Sequence, residues 1–88
     1  MDQEQLKRLK TELEAEIRKI RELDKVSQEK LSKLISAIKA ELHKPHDPVL
    51  SDDLRKHLEE NIRRFEVSHP DLTTVMNNMM VMLSNLGI

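Results

Sequence analysis

The side chains with the widest chemical reach in this chain are its four histidines, and two of them stand three apart in His43-Lys44-Pro45-His46-Asp47. Two imidazoles and the Asp47 carboxylate at that spacing are a donor set for a divalent metal. A second set, Asp53, His57 and Glu60, falls at i, i+4 and i+7, which puts all three on one face of a helix. Each set stops at three donors, one short of a closed tetrahedral site, and such neighbours arise by chance in a chain that is 35% charged. A solvated charged face accounts for both, so no metal or other cofactor is assigned. His69 precedes Pro70 with no Ser or Cys nucleophile pattern beside it, and reads as a capping or packing residue rather than a general base. With one Phe, one Gly and no Cys, Trp or Tyr, the chain has little from which to build a shielded pocket, a phosphate-binding loop or a CxxC zinc site. No catalytic residue is assigned, and the expectation is a protein that is not an enzyme.

The elements that must carry these residues are helical. A length of 88 residues bounds the chain to one domain, and its scarcity of aromatics and glycine disfavours sandwiches and barrels. From Leu6 the apolar residues fall at Leu9, Leu13, Ile17, Ile20 and Leu23, a narrow stripe that predicts a helix over about residues 2–23. Ser27 is a good N-cap, and Leu31, Leu34, Ile35, Ile38 and Leu42 form the next stripe, predicting a helix over 27–44 that closes on the first as an antiparallel hairpin. Pro45 and Pro48 then forbid a continuous helix, making 45–50 a linker. Ser51-Asp52-Asp53 is a start signal, and Leu54, Leu58, Ile62 and Phe65 line one face of a third helix over 51–68. Pro70 suits a first helical position and Gly87 a C-terminal stop, so a fourth helix is expected over 70–86; the alternative is one long helix kinked at Pro70.

Charge and hydropathy narrow the partners. Fifteen Lys and Arg against sixteen Asp and Glu leave a formal charge of −1, with no overall attraction toward nucleic acid or anionic lipid. The basic series Lys7, Arg8, Lys10, Arg18, Lys19, Arg21 and Lys25 is interleaved with Glu4, Glu12, Glu14, Glu16 and Glu22 and has no aromatic beside it, so a salt-bridged helix surface explains it better than nucleic-acid binding. Residues 1–44 hold eleven basic and nine acidic side chains and residues 45–88 hold four and seven, an asymmetry that could assist pairing of the two hairpins. The longest uncharged segment, Leu72 to Ile88, carries Thr73, Thr74, Asn77, Asn78, Ser84 and Asn85 and falls short of the ~20 apolar residues of a spanning helix. Met1-Asp2-Gln3-Glu4-Gln5 lacks the basic and apolar regions of a secretory signal, and the expected location is the cytoplasm.

The last helix poses the sharpest question. Leu72, Val75, Met76, Met79, Met80, Met82, Leu83 and Leu86 cover about 160° of its circumference, wider than the ~100° stripe of an ordinary surface helix. Each such side chain forgoes ~1.5–3 kcal/mol if left in water, so the face must be covered. It can be internal core, or it can join the same face of a second copy and enlarge the core of a small chain. Four of the five methionines lie here, and methionine also suits an adaptable contact with a different protein.

The segment Arg64-Phe65-Glu66-Val67-Ser68-His69-Pro70-Asp71-Leu72, followed by the uncharged helix and Leu86-Gly87-Ile88, resembles the end of a family of small bacterial proteins known only as domain-of-unknown-function family 4404. The resemblance is most specific over residues 64–88 and implies a short, all-helical protein with no assigned activity. It supplies no catalytic residues. The expectation that follows is an all-α protein of two helical hairpins, associating as a dimeric bundle through Leu72, Val75, Met76, Met79, Met80, Met82, Leu83 and Leu86. Its expected role is non-catalytic self-association or scaffolding, with binding of another protein through the same face as the alternative. A small nucleic-acid-associated regulator is the third and weakest reading.

Overall fold

A computed structural model describes residues 2–45 and 47–85. Among the described residues there are four α-helices and no strand: α1 (Asp2–Lys19), α2 (Lys25–His43), α3 (Pro48–Phe65) and α4 (Pro70–Asn85). Short connections alternate their direction, α1 packs on α2 and α4, and α3 packs on α2 and α4, so the helices form a closed four-helix bundle.

The helix ends show which local signals prevailed. α1 stops at Lys19, where the Ile20 amide donates to the Ile17 carbonyl at 3.1 Å, yet Ile20 and Leu23 still pack against the core from the connection. The apolar rhythm that suggested helix to residue 23 thus continues through non-helical chain. α2 begins at Lys25, two residues before the expected start. Asp24 caps it, accepting from the Ser27 amide at 2.9 Å, and Asp24 also receives Arg64 Nη2 at 3.3 Å. Asp and Ser are comparable caps, so this second contact from α3 favours Asp24. Ser27 is buried inside the first turn, where its hydroxyl accepts from Arg64 Nε at 2.8 Å.

α3 likewise begins three residues before the expected Ser51. Pro48 occupies its first turn rather than the linker, and Asp47 caps it by accepting from the Val49 and Leu50 amides at 2.9 and 3.4 Å. Ser51 is instead buried and donates to the carboxylate of Glu41 on α2 at 2.8 Å. The α3 helix ends at Phe65, three residues early, and a turn over 66–68 separates it from α4. Pro70 therefore opens a new helix and does not kink a continuous one. Leu86 and Gly87, expected at the end of the last helix, lie outside the described residues.

Every helix buries its stripe in one common core. Leu6, Leu9 and Leu13 of α1 meet Leu31, Leu34, Ala37 and Ile38 of α2 and Leu54, Leu58 and Phe65 of α3. Into this frame α4 inserts Leu72, Val75, Met76, Met79, Met82 and Leu83, all buried, with Met80 packed at its edge. The wide uncharged face finds its two neighbours, α1 and α3, within the same chain. A Cα radius of gyration of 12.2 Å agrees with the ~12 Å of a compact domain of this length.

Two polar groups inside this core join α2 to α3. Glu41, beside Ser51, is only 5% exposed, and Asn61, 1% exposed, donates to the Lys30 carbonyl at 3.3 Å and to its own helix at His57 O at 2.8 Å. The Asn61 amide nitrogen reaches Lys30 on α2 from its buried place on α3, so this bond favours one register of the two helices.

Because Met79 is fully buried and Val81, two residues on, is 57% exposed, the two positions should respond differently to truncation. Met79→Ala should lower the unfolding free energy by about 2–5 kcal/mol in urea titration, and Val81→Ala should stay within about 0.5 kcal/mol. Equal effects would show that the face is not core.

Candidate interaction groove

The residues singled out from the sequence are largely committed to structure. Leu72, Val75, Met76, Met79, Met82 and Leu83 fill the interior of one chain, Met80 lies half-buried against them, and Leu86 is outside the described residues. The apolar face that suggested an intersubunit contact is covered by α1 and α3. Asp47, read as a metal donor, serves as the α3 cap, and His46 of that set lies outside the described residues. In the second set, His57 Nε2 sits 3.5 Å from Asp53 Oδ1, while Glu60 is taken by Lys30 across the α2–α3 seam. Among the described residues no three His, Asp or Glu side chains converge on one point. His69 is a packing residue: its ring meets Phe65 edge-on with centroids 5.7 Å apart, its Nδ1 lies 2.8 Å from Ser68 Oγ, and its carbonyl accepts the first α4 bond from Thr73 N. No described helix is long and apolar enough to cross a membrane.

Charge pairs tie the hairpins together. The Lys30–Glu60 and Arg64–Asp24 contacts cross from α3 to α2 and its cap. Hydrogen bonds from Ser27, with a smaller pull from Arg64, hold the Asp24 carboxyl below the usual carboxylate range. Hydrogen bonding and attraction from Lys30 do the same for Glu60. On α1 the pairing is local. Glu14 pairs with Lys10 at 3.2 Å, one turn before it on α1. Lys19 pairs with Glu16 at 2.9 Å. Among the described residues, Lys7 and Lys39 have no carboxylate partner.

Those two lysines flank the α1–α2 seam, the most loosely packed of the four helix–helix seams. The amide of Gln3 donates to the Leu42 carbonyl at 3.1 Å, tying the start of α1 to the last turn of α2. Beyond this tie lies an open cleft of about 510 Å³ lined by Lys7, Lys10, Thr11, Lys39, Leu42 and His43. Further along the same seam a second cleft of about 220 Å³ is lined by Ile17, Leu23, Gln28, Leu31, Ser32 and Ile35, and its walls are almost wholly apolar. The Gln28 amide closes that end by donating to the Leu23 carbonyl at 2.9 Å. The result is a groove of two separate clefts in line along one seam, with no lining residue in common, cationic toward the start of α1 and uncharged toward the α1–α2 connection. Two further clefts near the α1–α2 connection, one of which shares Leu23 with the apolar cleft, differ: those lined by Glu16, Lys19, Arg21 and Asp71, and by Glu22, Asp24 and Arg64, mix both signs of charge.

The sequence did not disclose this groove. Ile17, Ile35 and Leu42 counted simply as members of their stripes, Lys7 as part of a salt-bridged helix surface, and Lys39 was not singled out. What brings them together is the separation of α1 from α2, a tertiary quantity that periodicity does not encode. The exposed valines Val26, Val49, Val67 and Val81 are scattered singly and need no partner.

The chain belongs to the family described as a domain of unknown function, DUF4404, whose model matches residues 3–88. The resemblance first seen over residues 64–88 therefore extends over nearly the whole chain. No curated protein and no solved structure matches it.

The acid-side stability of the fold follows from the two lowered carboxyls. A folded pKa below the unfolded one contributes stability above the unfolded value of about 4, and that contribution is lost as the pH falls through the folded value. Thermal melts followed by circular dichroism should thus fall as the pH drops below about 4. An Asp24→Asn/Glu60→Gln double variant should show a shallower fall; an unchanged slope would mean that these contacts do not act on stability.

Proposed function

We propose that this chain is a non-catalytic interaction module that offers the α1–α2 groove to a different protein. The observation that carries this reading is the unequal closure of the bundle: the apolar face of α4 is covered by its neighbours, while α1 and α2 leave two clefts between them. A groove between two helices, apolar in its floor and rimmed by polar side chains, suits the helix-in-groove mode of recognition. Dimerisation through α4 drew its support from the cost of exposing the Met-rich face, and that support weakens with Leu72, Val75, Met76, Met79, Met82 and Leu83 buried within the one chain. The nucleic-acid reading gains no stacking surface, since Phe65 is the only aromatic and it is buried.

Site-specific photo-crosslinking in cells tests the proposal. A benzophenone side chain at exposed Ser32 or Thr11, beside the groove, should give a discrete adduct, whereas the same group at exposed Glu59 on α3 or Asn77 on α4 should give none. The added mass should differ from the 10.3 kDa of the chain itself. An adduct of twice the chain mass would overturn the reading in favour of self-association. Adducts confined to α3 and α4, or none at any position, would overturn the groove as the working surface.

A further inference from the structure

Resting on the groove as the docking surface, we infer that its occupant is an acidic, amphipathic helix of about 15 residues. Length comes first. From Gln28 to His43 the linings of the two clefts together span about 22 Å of α2 at 1.5 Å per residue, four turns of a partner helix.

Charge then gives the composition of one end. No Asp or Glu lines the larger cleft, while Lys7, Lys10, Lys39 and His43 do. Lys10 shares its charge with Glu14, but Lys7 and Lys39 have no carboxylate partner among the described residues. Like charges gathered on one rim repel each other, and carboxylates brought by a partner would relieve this while steering its approach. Hydropathy gives the other end. Ile17, Leu23, Leu31 and Ile35 face the smaller cleft with only the uncharged Gln28 and Ser32 beside them. That floor takes Leu, Ile, Met or Phe repeating at i, i+3 or i+4, and i+7.

A nucleic-acid strand would satisfy the lysines, but it would also lay phosphates along the apolar half, where no cation answers them. An anionic membrane presents a surface far broader than a groove between two helices. A helical peptide, acidic at one end and apolar beyond it, matches both halves.

The test is selection from a displayed library of peptides about 15 residues long, randomised on a helix-favouring frame, against the full chain. The recovered peptides should carry clustered Asp or Glu at one end and helically spaced apolar residues beyond. Synthetic copies should bind Lys7→Glu/Lys39→Glu about tenfold more weakly than the parent, and Ser32→Glu, which places a charge at the apolar cleft, more weakly by a similar factor. All three positions are exposed, so both variants should melt like the parent chain. Peptides sensitive to Ser32→Glu but indifferent to the lysine reversals would overturn the acidic occupant and leave the groove as a docking surface. Peptides indifferent to both variants would overturn the groove as well. Displacement of the selected peptides by single-stranded DNA or phosphatidylglycerol vesicles at lower concentration than by free peptide would overturn the helix in favour of a phosphate ligand.

Discussion

Burial of the uncharged face of α4 is the constraint from which the rest of this fold follows. A helix presenting Leu72, Val75, Met76, Met79, Met82 and Leu83 around a wide arc needs a neighbour on each side, and α1 and α3 are those neighbours. The stripe of α1 is narrow, and turning it onto α4 leaves less of it for α2. Leu6, Leu9 and Leu13 are buried deeply, whereas Ile17, Ile20 and Leu23 are only partly covered. The loose α1–α2 seam and its groove are thus a consequence of closing the bundle over α4.

Local polar contacts then fix how the helices slide against each other. Leucine and methionine interiors tolerate several registers, since neither side chain demands a particular partner. The buried Asn61 amide on the Lys30 carbonyl, Ser51 on Glu41, and Arg64 on both Ser27 and Asp24 each connect one position of α3 to one position of α2 or its cap. These contacts are distributed from one end of the α2–α3 seam to the other. In the α1–α2 seam the tie between helices is Gln3 to the Leu42 carbonyl, at one end.

Helix existence, order and the separation of α3 from α4 could be read from apolar spacing and proline position, because both act within a few residues. The boundaries shifted where two caps competed. Asp24 displaced Ser27 and Asp47 displaced Ser51 as the starting residue, and in each case the serine, itself buried, gained a partner from another helix that sequence alone does not reveal. Pro48 is compatible with either a linker or a first turn, and only the Asp47 cap decides between them. The α4 face was recognisable as something that must be covered, but what covers it depends on how α1 crosses the bundle. For the same reason the groove was invisible: its lysines and isoleucines come from two helices whose spacing is set by α4.

The central claim is that the core closes within one chain, and the concentration dependence of unfolding tests it most directly. Linkage requires the melting temperature of an interface-built core to rise with protein concentration, whereas a core closed within one chain melts independently of it. Melting curves over a thousandfold range of concentration should superimpose. A midpoint that climbs steadily with concentration would show that the α4 face is shared between chains and would remove the basis for the groove.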